Sequence, residues 1–132
     1  MLKRALIIED QVADMRRAIR ILRKLGIEEV EAFPRVDAAV LRLEEAMEGQ
    51  RPTPDLIILD LDLNKESGFE VLRLWKSNPI LQEHTSVVVW THMTNPEQEL
   101  AMCFGVEVVP KWTGPAEMES AVKRCSVLKC AS

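Results

Sequence analysis

The sequence predicts an α/β domain: a parallel sheet with helices on both faces. Three observations predict it. Short apolar runs without polar alternation, Leu6-Ile7-Ile8, Leu56-Ile57-Ile58-Leu59 and Val87-Val88-Val89-Trp90, suit strands buried on both faces. Segments with apolar residues at helical spacing separate them. Each run hands over to polar residues where a strand should stop: Glu9-Asp10, Asp60 and Thr91. Such alternation means parallel strands joined by right-handed crossovers.

The first strand is Leu6 to Ile8. Val12, Met15, Ile19, Leu22 and Leu25 then mark a helix, and Gly26 stands where a C-terminal cap belongs. Its other faces are basic, with Arg16, Arg17, Arg20, Arg23 and Lys24, which suits either a solvated face or a docking surface. Ile21 falls off the apolar stripe, between Arg17 and Lys24, and is expected at the surface as a docking anchor. Val30 to Phe33 reads as a strand. Val36, Val40, Leu43 and Met47 give a second helix stopped by Gly49, and Arg51-Pro52-Thr53-Pro54 is a loop. The strand into Asp60 follows. After a loop from Leu61 to Glu66, Ser67 and Glu70 have capping-box spacing for a third helix, which turns Phe69, Leu72 and Trp75 inward and ends at Asn78-Pro79. The fourth strand, Ser86 to Trp90, delivers Thr91. Thr94 with Glu97, or Asn95 with Pro96 and Gln98, caps a fourth helix running to Gly105. Val106 to Val109 is a last strand leading to Pro110-Lys111, and Gly114-Pro115 opens the final helix with Met118, Ala121, Val122, Cys125 and Leu128 inward. Five strands thus alternate with five helices, without repeat or linker. The expected architecture is the flavodoxin-like doubly wound five-stranded parallel sheet, strand order 2-1-3-4-5.

A chain of 132 residues fits one domain, residues 1–132, and can bury one sizeable core. Hydrophobic residues at 47% and charged residues at 29% are ordinary for a globular domain. The net charge of −4 offers no nucleic-acid or membrane surface. No apolar run approaches the roughly 20 residues that span a bilayer, and the N-terminus does not read as a signal peptide. Cys103, Cys125 and Cys130 are an odd count without a CxxC pair, so free thiols in a reducing cytosol are expected, not a zinc site.

The strand ends carry the functional signal. In open α/β sheets ligands bind outside the carboxyl ends of the strands. There the chain places Glu9 and Asp10, then Asp60, then Thr91, then Lys111. Singly, each has a bland reading, as a turn residue, a cap or a surface lysine. In the 2-1-3-4-5 order strands one and three are neighbours, so three carboxylates converge at the switch point. That much negative charge calls for a cation, and hard oxygen ligands suit Mg²⁺. A metal, a hydroxyl and an ammonium around one aspartate suit a phosphoryl group.

With these residues in place the chain resembles the receiver domains of two-component response regulators over nearly its whole length. The matching residues are Glu9-Asp10, Asp60 after its apolar strand, Gly68 with Phe69-Glu70-Val71-Leu72, Thr91 after Val87 to Trp90, and Lys111. The resemblance implies that Asp60 accepts a phosphoryl group from a phosphohistidine, on a sensor histidine kinase or a histidine phosphotransfer protein. It implies that Asp10, Asp60 and the main-chain carbonyl of Asp62 bind Mg²⁺ with help from Glu9, and that Thr91 and Lys111 read the phosphoryl group. It further implies a cytoplasmic protein without an effector domain that acts on a downstream protein target. A homodimer through the fourth helix, fifth strand and fifth helix belongs to the same expectation. Direct binding to nucleic acid or membrane does not, nor does any enzyme activity beyond its own phosphorylation and dephosphorylation.

Four positions depart from the family pattern. Asn64 replaces a common proline, His92 follows Thr91 in place of a small residue, Val108 takes the position of the switch aromatic, and Trp112 replaces the proline after Lys111. No reacting group is lost, so the changes bear on signalling mechanics. His92 is either a bulky loop residue or a side chain overhanging the site. With Val108 unable to swing as a ring, Trp112 is expected to carry the signal, after a trans Lys111–Trp112 bond. Two other readings compete. A receiver-like interaction module that is never phosphorylated fits His92 and Trp112. A phosphatase of the haloacid-dehalogenase type fits Asp60-Leu61-Asp62, but places its second acidic pair after the lysine, where this chain offers nothing suitable.

Overall fold

The structure is a computed structural model that describes residues 2–63, 66–92 and 95–131. In chain order the elements are β1 (Arg4–Ile8), α1 (Val12–Lys24), β2 (Glu29–Phe33), α2 (Val36–Met47), β3 (Leu56–Leu59), β4 (Asp62–Leu63), β5 (Glu66–Ser67), α3 (Phe69–Ser77), α4 (Pro79–His84), β6 (Ser86–Thr91), α5 (Asn95–Met102), β7 (Glu107–Pro110) and α6 (Pro115–Ala131). Five strands form one parallel sheet in the order β2-β1-β3-β6-β7. Counted within that sheet, this is the expected order 2-1-3-4-5.

Strand alternation sorts the core onto two faces. Leu6, Ile8, Ile57, Leu59, Val87 and Val89 pack with residues of α2, α3, α4 and α5. Ala5, Ile7, Leu56, Ile58, Val88 and Trp90 pack with α1 and α6. Because both faces are covered, the central strands read as unbroken apolar runs. Burying each Leu, Ile or Val side chain is worth about 1.5–3 kcal/mol.

Three elements, β4, β5 and α4, were not expected. β4 and β5 make a two-stranded antiparallel hairpin where a loop was read, with Asp62 opposite Ser67 and Leu63 opposite Glu66. The helix α4 follows α3 directly. Asn78 ends α3 and also caps α4, its side-chain oxygen accepting from the Leu81 N–H at 3.1 Å, with Pro79 at the first helical position. The same dipeptide therefore stops one helix and starts the next. Ser67 does act at the start of α3, accepting from the Phe69 N–H at 3.3 Å, although Gly68 is the residue before the helix. Thr94 and Asn64 lie outside the described residues.

The expectation for Ile21 is corrected. It is 7% exposed and packs in the core with Met118 and Val122, whereas Val12 of the expected stripe is 59% exposed. The helix α1 is flanked by the sheet and by α6, with Lys24 reaching Glu119 at 3.0 Å. Two neighbours demand a wider apolar arc than a single stripe.

The amino ends of the central strands are tied down. The Asp55 carboxylate accepts from the main-chain N–H groups of Lys3 and Arg4. The Thr85 hydroxyl donates to the Pro54 carbonyl at 2.6 Å, and the Trp75 indole N–H donates to the Thr85 carbonyl at 2.8 Å. All these groups lie at the end of the sheet opposite the strand termini that carry Glu9, Asp60 and Thr91.

Candidate functional site

Four of the five strands of the sheet, β1, β3, β6 and β7, bring residues to the site at their carboxyl ends. Asp60 leaves β3 with its N–H on the Ile8 carbonyl at 3.0 Å, which fixes it beside β1. Lys111 leaves β7 with its N–H on the Thr91 carbonyl at 3.0 Å. Glu9, Asp60, Thr91 and Lys111 are all buried, an arrangement that charged side chains adopt only when paired.

The pairing is complete around Asp60. Its Oδ1 accepts from the Thr91 hydroxyl at 2.7 Å and from the Asp62 N–H at 3.0 Å. Its Oδ2 accepts from Lys111 Nζ at 3.0 Å. The Lys111 ammonium also donates to Glu9 Oε2 and to Asp14 Oδ2, the latter at 2.9 Å. Glu9 Oε1 accepts from the Gln11 N–H at 3.0 Å, so Glu9 steadies the turn into α1. Asp10 does not cap that helix, whose first flanking residue is Gln11. A cavity of about 490 Å³ opens over these groups, lined by Asp10, Gln11, Asp14, Asp60, Asp62, His92 and Lys111.

Burial pushes the Glu9 carboxyl up to about 7; the bond from Lys111 opposes the rise, and the Asp60 charge adds to it. Burial alone would lower Lys111, but its bonds to Glu9 and Asp14 and the charge of Asp60 outweigh this and raise it. Burial would likewise raise Asp14, yet Lys111 and Arg17 hold its carboxyl below the ordinary range.

Carboxylate oxygens of Glu9, Asp10 and Asp60 lie within 4.8 Å of one another. An all-oxygen, anionic donor set of this kind fits a hard divalent cation. Asp62 is exposed and borders the cavity. His92 is exposed and lines the cavity, which favours the overhanging reading. Val108 is half-buried against the core on the α2–α5 face. Trp112 is 77% exposed, and no cis peptide bond occurs among the described residues.

Sequence reasoning missed three participants. Asp14, in the first turn of α1, was not singled out, although it lies only four residues after Asp10. Trp90 was read as the end of a buried strand beside Thr91, without its charged neighbours; it is buried, and the Arg17 guanidinium carbon and Lys111 Nζ lie 5.1 and 5.3 Å from its ring centroid. Gly68 was noted as a motif residue without a reason. A Cβ there would stand 2.5 Å from the Asp60 carbonyl oxygen and 2.8 Å from Leu61 Cα.

Comparison with known proteins agrees with this fold. The response regulator receiver domain family matches residues 5–123. Response regulator Rcp1 of Synechocystis sp. is 37% identical over 98 residues, covering 73% of this chain and 66% of that protein, just under two thirds of its length. The crystal structure of the Mn²⁺-bound form of response regulator Rcp1 superposes with a TM-score of 0.73 at 28% identity, covering 96% of this chain and 91% of the other. The phosphorylated cyanobacterial phytochrome response regulator RcpA gives 0.74 at 26% identity, with 99% and 91% covered. Because the family match runs from β1 into α6, and so takes in the whole sheet and its site, the chain belongs to the response regulator receiver domain family.

Proposed function

We propose that Asp60 accepts a phosphoryl group from the phosphohistidine of a sensor histidine kinase or histidine phosphotransfer protein. The observation that carries this reading is the Asp60 carboxylate, buried beneath an open cavity with Thr91 and Lys111 on its two oxygens. A carboxylate oxygen attacks phosphorus and the P–N bond to the donor imidazole breaks. The departing nitrogen keeps the electron pair and takes up a proton, and an acyl phosphate remains. The Thr91 hydroxyl and the Lys111 ammonium, both bonded to Asp60, would donate to the incoming phosphoryl oxygens. Bound Mg²⁺ would supply charge neutralisation between the anionic donor and the acidic site. Glu9, Asp10, Asp60 and the main-chain carbonyl of Asp62 are the groups that would hold it. A Mn²⁺-bound and a phosphorylated relative support this reading.

Acetyl phosphate with Mg²⁺ should add the mass of one phosphoryl group to the intact protein. Asp60→Asn should keep the fold and lose that mass. A shift that persists in Asp60→Asn would refute the assignment, and an unlabelled parent would favour the interaction module that never takes a phosphoryl group. Output is read as phosphorylation-dependent binding of a downstream protein in the cytoplasm, where the donor also resides. No helix among the described residues is long and apolar enough to cross a membrane. Leu100 and Met102 are exposed on α5, on the side expected to serve a homodimer with β7 and α6.

A further inference from the structure

Lys111 carries three N–H hydrogens and has three carboxylate partners, each from a different segment: Glu9 after β1, Asp14 on α1 and Asp60 after β3. Glu9 and Asp60 belong to the cluster that can hold a cation, whereas Asp14 lies outside it. Asp14 is itself held from two sides. Its Oδ2 takes Lys111, and its Oδ1 takes Arg17 at 3.2 Å. Arg17 in turn lies 5.1 Å from the centroid of Trp90, which is bonded to Thr91, and Thr91 donates to Asp60. The contacts close a ring: Asp60, Lys111, Asp14, Arg17, Trp90, Thr91 and back to Asp60.

We propose that Asp14 is a positioning residue for phosphoryl transfer: it pins one hydrogen of the Lys111 ammonium so that another stays aimed at the oxygens forming beside Asp60. The proposal rests on Asp60 being the phosphoryl acceptor. A tetrahedral ammonium with two hydrogens committed, to Glu9 and Asp14, has a fixed direction for the third. With Asp14 truncated, one hydrogen has no acceptor and the ammonium swings toward Glu9 or solvent. Lys111 still carries its charge, so electrostatic attraction for the donor persists while the oriented bond is lost. The competing account is that Asp14, in the first turn of α1, merely complements the helix dipole.

Two substitutions separate these accounts. Asp14→Asn keeps one acceptor oxygen. Arg17 is partly exposed and can turn to water, so that oxygen goes to buried Lys111. Asp14→Ala keeps none. Labelling by acetyl phosphate with Mg²⁺ is followed by intact mass against donor concentration. Asp14→Ala should lower the maximal labelling rate about tenfold, the effect of losing one charge-assisted hydrogen bond, with the half-saturating donor concentration unchanged. Asp14→Asn should stay within about threefold of the parent. Should Asp14→Ala not fold, Asp14→Ser, too short to reach Lys111, takes its place with the same expectation. Parental rates in Asp14→Ala, equal slowing in Asn and Ala, or faster labelling in both would each overturn the proposal. An unlabelled parent would instead bring down the acceptor assignment, and this proposal with it.

Discussion

At the scale of single residues, the site is a balance of carboxylates around one ammonium. Lys111→Met would leave the buried carboxylates of Glu9 and Asp60 facing each other, a loss on the order of 3 kcal/mol. A clear drop in metal-free Tm is expected, and an unchanged Tm would mean that the acids relax into solvent. Asp10→Asn acts in the opposite sense, because it removes repulsion without removing a partner of Lys111. Its metal-free Tm should rise while Mg²⁺ affinity falls; a lower Tm would show that Asp10 is structural. The Glu9 carboxyl lies at about 7 in the folded chain, against 4.5 when unperturbed. Between those values the folded state holds a proton that the unfolded chain has lost. Stability therefore falls as pH climbs through that window, by roughly 3 kcal/mol in all, and levels off above it. Asp14, Asp37 and Glu107, all held low, act oppositely and only in more acid solution. In chelator, Tm should decline from about pH 5 to about pH 7.5, and Glu9→Gln should flatten the decline. Equal slopes in both proteins would assign the effect elsewhere.

At the scale of elements, the loop behind Asp60 depends on Gly68. Its N–H bonds to the Leu61 carbonyl at 3.2 Å, and its missing side chain lets α3 begin against the Asp60 backbone. Gly68 has an ordinary helical φ of −66°, so space, not backbone freedom, demands glycine. Gly68→Ala should cost about 1–3 kcal/mol and weaken Mg²⁺ binding together, since the backbone displaced carries Asp60. Loss of stability with full metal affinity would show that the strain is absorbed by α3 instead. These elements also show what the sequence could convey. The central strands were legible because burial on both faces leaves unbroken apolar runs, and their order placed Glu9, Asp10, Asp60, Thr91 and Lys111 together. The hairpin of β4 and β5 was not, because two-residue strands carry no period. The helix α4 was hidden by an Asn-Pro pair that serves as stop and start alike. Ile21 was misjudged because the arc that α1 buries is set by α6, a partner remote in the chain.

At the scale of the whole molecule, the sheet divides two cores, and Trp90 belongs to the one under α1 and α6 while its neighbour Thr91 holds Asp60. With two cations near its ring, Trp90 is placed to register any change in Lys111. The sequence pointed to Trp112, but that side chain stands in solvent. A phosphate mimic with Mg²⁺ should change tryptophan emission in the parent and in Trp112→Phe, and not in Trp90→Phe or Asp60→Asn. Loss of the response in Trp112→Phe would return the signal to Trp112. The ties at the amino ends of the strands have a consequence of their own. Asp55, Thr85 and Trp75 staple that end of the sheet, while the other end is held by bonds around Asp60 that would have to re-form under the proposed phosphorylation. Amide protons should therefore exchange on two clocks. Those of Asp55 and Ser86, bonded at the stapled end, should wait for global unfolding. Those of Asp62 and Gly68 should exchange through local opening, so that the domain is a fixed foot beneath a crown that can be reset without lifting it.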